Sequence, residues 1–142
     1  MNKKKIIKSL ILILWMGIIF IFSHQPNSGE ETKSILETAL PFINEINLIE
    51  LTNLFIRKSA HLIEYFILTL LTVSLLKEYT KNERKIIISS LIFCFLYACT
   101  DEYHQSFIIG RTSAFKDVLI DTIGGLTFIL IYYLSKKYSK IK

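Results

Sequence analysis

The segment Tyr97–Gly125, YACTDEYHQSFIIGRTSAFKDVLIDTIGG, decides the fold because it sets charged side chains between two long apolar runs. An ionisable group costs about 2.5–3.5 kcal/mol at the centre of a membrane-spanning helix, and less near its ends. Such groups persist there when they pair with one another or act on a ligand. The segment therefore predicts a polar site between membrane helices. Its polar side chains are Asp101, Glu102, His104, Gln105, Arg111, Lys116, Asp117 and Asp121.

The remainder of the chain has the composition of a membrane protein. Of its 142 residues, 51% are hydrophobic, and they fall in long runs rather than at scattered core positions. The formal net charge of +5 comes from short basic clusters that flank these runs. That arrangement orients membrane proteins and does not indicate nucleic-acid binding. The length suits a single domain over residues 1–142.

Four apolar runs predict four transmembrane helices, because at this length only helices satisfy their own backbone hydrogen bonds in lipid. They cover about residues 6–22, 59–76, 86–100 and 115–134. The first run is longer than the apolar part of a signal peptide and no cleavage site follows, so we interpret it as an uncleaved anchor. The third has only about fifteen strongly apolar residues against the ~20 usually needed, which favours a helix extended through Asp101.

Two polar segments join these spans on one side, over about residues 23–58 and 101–114. In the first, Ser28-Gly29-Glu30-Glu31 has the form of a capping box and precedes apolar residues at helical spacing. Pro41 breaks that pattern, and a weakly amphipathic pattern resumes from Ile43 to Phe55. We expect one or two short helices at the membrane surface, with a plain spacer as the alternative. The predicted fold is an all-α polytopic membrane protein, a four-transmembrane-helix bundle with a short interfacial helical segment between helices 1 and 2.

The loop charges predict the orientation of the bundle. Basic residues are in excess at the N-terminus, at residues 77–85 and at the C-terminus, so these parts are expected in the cytoplasm. The chain is then a multi-pass protein with both ends inside, and its polar residues share the depth of the outer leaflet. These residues are Gln25, Lys58, His61, Glu64, Asp101, His104, Arg111 and Asp117.

Several motifs resemble the VanZ-like family of small bacterial membrane proteins, over nearly the whole chain. The motifs are Phe22-Ser23-His24-Gln25-Pro26, Lys58-Ser59-Ala60-His61 with Glu64-Tyr65, Asp101-Glu102-Tyr103-His104-Gln105-Ser106-Phe107 with Gly110-Arg111, Asp117-Val118 and Gly124-Gly125. Ile109 stands where the family often has a proline before the Gly-Arg pair. The resemblance implies the bacterial cell membrane and a cell-envelope role of the teicoplanin-resistance type. It implies no particular biochemical activity.

Three interpretations of the charged cluster stay open. In the first, Lys58, Arg111 and Lys116 neutralise the acidic side chains in a purely structural network, since charges near lipid persist by pairing. In the second, the protein is a hydrolase or transferase that acts on an anionic envelope lipid by general acid–base chemistry. In the third, the pocket binds an envelope ligand without reaction. Transport ranks last, because the charges lie at one end and no repeats are present.

The enzyme interpretation assigns roles to particular residues. Asp101 and His104 are three positions apart, so on a helix the carboxylate orients the imidazole as base or acid. Arg111 is the expected anion clamp. The candidate catalytic residues are His61, Asp101, His104 and Asp117, and the candidate substrate-binding residues are Lys58, Glu64, Gln105, Arg111 and Gln25.

No cofactor motif is present, and the expected partners follow from the location. A divalent metal held by His61, His104, Asp101 and Asp117 is the weaker variant, because no compact ligand spacing supports it. The expected partners are membrane lipids together with a lipid-linked envelope precursor or a glycopeptide, and no nucleic acid. The number of subunits does not follow from the sequence.

Overall fold

A computed structural model describes residues 2–40, 46–111 and 113–139. Over these ranges the chain is helical, with no strand, and forms α1 (Lys3–Ser23), α2 (Ser28–Ala39), α3 (Ile46–Leu76), α4 (Glu83–Gln105) and α5 (Phe115–Ser139). All of these except α2 are long and apolar enough to cross a membrane. Many of their large apolar side chains are exposed on the outside of the bundle, which suits contact with lipid. The predicted all-α fold with four spans is confirmed.

The helix bounds differ from the predicted ones because helices continue past the apolar runs. The second span starts in the structure at Ile46 rather than near residue 59, as part of α3. At ~1.5 Å per residue, the 31 residues of α3 reach about 46 Å, so its first turns extend beyond a ~30 Å hydrocarbon core. Of the one or two short helices expected before this span, α2 forms, whereas the described residues up to Phe55 belong to α3 rather than to a second short helix. Pro41 lies outside the described residues. The predicted extension through Asp101 is confirmed, because α4 continues to Gln105.

The short helix α2 packs against the first turns of α3. The Asn53 side-chain amide donates to the Gly29 carbonyl at 2.9 Å, and Lys33 pairs with Glu50 at 3.2 Å. The predicted capping box is not formed as expected, because the helix already begins at Ser28. Its N-cap is Asn27, which has a positive φ of 54° and makes no side-chain cap hydrogen bond.

Successive spans alternate in direction, so the bundle has two distinct ends. At the lysine-rich end, where α1 begins and α3 turns into α4, Lys8 donates to the Ser74 carbonyl at 3.0 Å and to Glu78 at 2.5 Å. At the other end, called the motif end here, α1 and α4 finish and α5 begins. Between the ends, the Trp15 indole donates to the Glu64 carbonyl at 3.0 Å and ties α1 to α3.

Helix α3 contacts all four other helices, most extensively α5, whose backbone approaches that of α3 closely at Gly124. The predicted packing role of Gly124-Gly125 explains that approach. A Cβ atom at Gly124 would collide with the backbone carbonyl of Leu62, and one at Gly125 would lie 2.7 Å from the Thr69 hydroxyl. Small residues at such positions allow membrane helices to pack backbone to backbone. The glycine pair therefore sets the spacing of α3 and α5.

We predict that Gly124→Ala destabilises the bundle by about 1–3 kcal/mol, because the added methyl group forces α5 away from Leu62. The measurement is the thermal unfolding midpoint of purified protein in detergent. Gly17→Ala in α1 is the matched control, since nothing lies within 4 Å of its added methyl group. Equal midpoints for the two variants would contradict the packing role.

Candidate functional site

The motif end brings polar side chains of α3, α4 and α5 to one depth in the bundle. His61 lies near the middle of α3, Asp101 in the last turns of α4 and Asp121 in the second turn of α5. One ligand atom from each of the three lies within 4.8 Å of the others. These residues are called the inner cluster here. Asp101 is 4% exposed and Asp121 is fully buried.

The inner cluster has one acidic neighbour and one amide neighbour. The His61 Nδ1 atom lies 3.5 Å from Asp121 Oδ1 and 3.9 Å from Glu64 Oε2. The Gln105 amide donates to Asp101 Oδ2 at 3.1 Å and fixes that carboxylate. Predicted site residues from α3 and α4 therefore meet, and they meet around Asp121, which the predicted set did not include.

A cavity of about 260 Å³ opens beside the inner cluster. It is called the arginine pocket here, and its polar lining consists of Ser23, Gln25, Ser28, Thr32, Arg57, His61, Glu64 and Arg111. His61 and Glu64 belong to its wall, so they connect the pocket to the inner cluster. Of these lining residues, Arg57 was missed by the sequence analysis, although it directly precedes Lys58.

Arg111 holds the α4–α5 loop against the end of α1. Its Nη2 donates to the Phe22 carbonyl at 2.6 Å and its Nε donates to the Gln25 carbonyl at 3.2 Å. Carbonyls at a helix C-terminus lack partners within the helix, so the guanidinium caps α1. Burial and the nearby Arg57 lower the pKa of Arg111 from its ordinary value. The guanidinium stays charged, because an arginine pKa remains far above neutral pH.

Gly110 permits this arrangement of the loop. It has a positive φ of 78°, and a Cβ atom there would collide with the Asn27 side chain. The left-handed backbone and the close approach both require glycine. The predicted motif Gly110-Arg111 thus joins the α4–α5 loop to the segment between α1 and α2.

Lys58 and Asp117 form an ion pair between α3 and the first turn of α5. Both were predicted as site residues, Asp117 as catalytic and Lys58 as substrate-binding. Their mutual pairing favours the structural interpretation for these two positions. Neither residue belongs to the three ligand residues of the inner cluster.

His104 faces α1 rather than the inner cluster. Its Nε2 atom lies 3.1 Å from His24 Nδ1, and its ring stacks on Phe20 with 4.4 Å between the ring centres. Among the hydrogen bonds of the described residues, none joins Asp101 to His104, so the predicted orienting pair does not form. The reason is helical geometry, because Asp101 points toward α3 and α5 while His104 points toward α1. His24 was not predicted to have a partner.

Glu102 supports the start of α5. Its side chain is 4% exposed, and its Oε2 accepts a hydrogen bond from the Ala114 amide at 3.0 Å. The Ser113 hydroxyl donates to the Glu102 carbonyl at 2.8 Å. Glu102 therefore anchors the loop, and Asp101 alone of this acidic pair joins the inner cluster.

Four spans, of which α3 contacts the other three, form a bundle with a buried polar cluster and a pocket at one end. These features define a polytopic helical membrane protein with a site inside its bundle. The chain belongs to the VanZ/LLP1 family, whose model matches residues 9–136. The match includes every residue of the inner cluster and of the arginine pocket's polar lining. No curated protein and no solved structure matches the chain.

We predict that Lys58 and Asp117 are energetically coupled by about 0.5–3 kcal/mol. Lys58→Met and Asp117→Asn each leave a partly buried charge without its partner, so the double variant should lose less stability than the two single losses added together. The measurement is a double-mutant cycle on the unfolding free energy in detergent. The control cycle uses Lys33 and Glu50, whose carboxylate is more exposed, with an expected coupling of about 0.2–1 kcal/mol. A Lys58–Asp117 coupling no larger than that of the control would count against the ion pair.

Proposed function

We propose that the protein binds the anionic headgroup of a cell-envelope lipid in the arginine pocket, on the extracytoplasmic side of the bacterial cell membrane. The observation that carries this proposal is the presence of two guanidinium groups, Arg57 and Arg111, in the wall of one cavity. Arginine is the side chain best suited to bidentate binding of phosphate or carboxylate. Binding of this kind supports a role in envelope maintenance or teicoplanin tolerance.

The charges of the pocket favour an anion. Burial and, after it, the neighbouring Arg57 lower the pKa of Arg111. An anion between the two guanidinium groups would relieve their mutual repulsion. Glu64 is the acidic side chain among the lining residues, so the two guanidiniums outweigh it. Ser28 places the first turn of α2 in the wall, and the N-terminus of a helix also favours negative charge.

The size of the pocket favours a headgroup over a whole antibiotic. Sites for drug-sized ligands span about 300–1,000 Å³, whereas this cavity measures about 260 Å³. A phosphate or carboxylate with a small adjoining group fits such a volume, and a glycopeptide does not. A lipid-linked envelope precursor is therefore the better ligand class, with glycopeptide tolerance as an indirect consequence.

A catalytic version of this proposal is favoured by the position of His61. Its ring belongs to the pocket wall while its Nδ1 atom faces the buried Asp121 carboxylate at 3.5 Å. The two groups make no hydrogen bond at this distance, so the carboxylate would orient the imidazole for proton transfer only after a small closure on binding of a substrate. This version moves the acid–base role from His104 to His61. It is distinguished from plain binding by a product released from a labelled lipid substrate.

We predict that Arg57→Gln weakens binding of a long-chain lipid phosphate about tenfold or more, because a hydrogen bond to a charged group contributes about 1.5–3 kcal/mol. The measurement is retention of radiolabelled lipid phosphate by the purified protein in detergent, with the uncharged lipid alcohol as the comparison ligand. Arg84→Gln is the matched control, since Arg84 lies at the lysine-rich end of α4. Arg57 is preferred over Arg111 because Arg111 also caps α1.

The same variants have a cellular readout in a teicoplanin-sensitive host. Arg57→Gln should lower tolerance at unchanged membrane abundance, while Arg84→Gln should leave both unchanged. Equal retention of lipid phosphate by the two variants would overturn the binding proposal. Loss of tolerance only in step with abundance favours the structural network instead.

We predict that the motif end faces the outside of the cell. In a Cys99→Ser background, Ser106→Cys at the exposed end of α4 should react with a membrane-impermeant maleimide in intact cells. Tyr79→Cys, in the exposed turn between α3 and α4, should react only after permeabilisation. Cys94 is buried and needs no replacement. The reverse labelling pattern would place the arginine pocket in the cytoplasm and exclude ligands of the outer leaflet.

A further inference from the structure

Asp121 is a buried carboxyl group whose surroundings do not satisfy it. Its side chain is fully buried, and neither Oδ1 nor Oδ2 has a hydrogen-bond partner among the described residues. The Nδ1 atom of His61, which faces it, also lacks a hydrogen bond. Buried polar atoms are almost always paired, so an unpaired carboxylate beside an unpaired imidazole nitrogen indicates a missing partner.

The groups around Asp121 do not supply a cation. From α3 it faces His61, with Glu64 beyond. From α4 it faces Asp101. Within the described ranges no lysine or arginine forms an ion pair with Asp101 or Asp121, because the nearby Lys58 pairs with Asp117. Two carboxylates thus share a buried site without a direct ion pair to a lysine or arginine of the described residues.

We propose that His61, Asp101 and Asp121 bind one divalent transition-metal ion, with Zn²⁺ as the best match to this ligand set. Two ionised carboxylates and a neutral imidazole carry two negative charges, which a divalent ion neutralises. Zinc takes histidine nitrogen and carboxylate oxygen at about 2.0–2.2 Å. This set replaces the one expected from the sequence, because the structure places His104 and Asp117 elsewhere.

The distances between the three ligand atoms fit a metal ion if the side chains move slightly closer together. Two ligand atoms at about 2.1 Å from a tetrahedral zinc are separated by ~3.4 Å. His61 Nδ1 and Asp121 Oδ1 lie 3.5 Å apart, while the ligand atoms of all three residues lie within 4.8 Å of one another. The bound ion would have to draw these side chains together by about an ångström. Three protein ligands leave a position open for water or a bound group.

Two further features suit a metal site. The Gln105 amide donates to Asp101 Oδ2 at 3.1 Å, which is the kind of outer hydrogen bond that orients a metal-binding carboxylate. The arginine pocket supplies an entry path, because His61 and Glu64 lie in its wall. The inference does not depend on the proposed anion ligand, since metal binding is measured without any lipid.

The test is zinc binding by the purified, tag-free protein in detergent after removal of metal with a chelator. Equilibrium dialysis against Zn²⁺ with elemental analysis should give one ion per wild-type chain. Asp121→Asn keeps the shape of the side chain and should weaken binding at least tenfold. Glu83→Gln, which removes a carboxylate at the lysine-rich end, is the matched control and should retain the ion.

The histidine pair His24–His104 is the competing zinc site, because its ring nitrogens lie 3.1 Å apart on the surface. Zinc retained by Asp121→Asn but lost in His104→Ala would assign the ion to that pair and overturn the proposal. If Asp121→Asn does not fold, the effect of Zn²⁺ on the unfolding midpoint of the wild-type protein and of His104→Ala tests the proposal instead. Zn²⁺ should raise the unfolding midpoint of wild type and of His104→Ala alike, because a ligand that binds only the folded state stabilises it. An unchanged midpoint in both proteins overturns the proposal.

Discussion

Charges that lie among apolar helices must be neutralised by their neighbours. The side-chain contacts at the motif end are arranged largely by this constraint. Lys58 and Asp117 satisfy it as an ion pair, and Arg111 satisfies it by binding backbone carbonyls of α1. Glu102 satisfies it in part, because its Oε2 accepts a backbone amide of the α4–α5 loop while its Oε1 has no hydrogen-bond partner among the described residues. Each of these contacts joins two elements of the chain, so the contacts that neutralise the charges also hold the elements together. Asp121 departs from the pattern, which is why it marks the most informative position in the bundle.

The close approach of α3 and α5 places Asp121 where it is. Gly124 packs on the backbone of Leu62, and Asp121 lies one turn earlier on the same face of α5. His61 is the neighbour of Leu62 in α3, so the contact that brings the helices together also brings the carboxyl to the imidazole. A larger residue at Gly124 would separate the two groups as well as the helices. The glycine is thus a packing residue with a consequence for the site.

The sequence predicted the fold well because its signals act along a single helix. Apolar runs identified four spans, and the short apolar part of α4 indicated its extension to Asp101. The amphipathic pattern from Ile43 to Phe55 indicated a helix, but its continuity with the second span was missed, because Glu50, Asn53 and the charges that follow interrupt the apolar run. The charges of such turns are solvated or paired, as in Lys33–Glu50, and leave no periodic signature.

The site was predicted less completely, because its contacts depend on how the helices are rotated against one another. Spacing along α4 favoured Asp101 and His104 as partners, yet the rotation of α4 turns His104 toward His24 on α1. Asp101 instead shares a face with Gln105, four positions on. The sequence shows Asp121 as an acidic residue one turn after Asp117. Only the tertiary packing reveals that Asp117 forms an ion pair while Asp121 is buried without one to a lysine or arginine of the described residues. Signals within one helix cannot decide between such alternatives.

The structural interpretation suits some residues of the charged cluster and the functional interpretation suits others. Arg111 is the residue to which both interpretations apply. A guanidinium has five N–H donors, and two of the nitrogens of Arg111 already bind carbonyls of α1. It lines the pocket nevertheless, so an anion bound there would contact a group that also holds the end of α1. Arg57 contributes from α3 and Ser28 from α2. A ligand that binds only the assembled pocket shifts the equilibrium toward the assembled state. Ligand binding would therefore also stabilise the packing of the connecting segments that form the pocket.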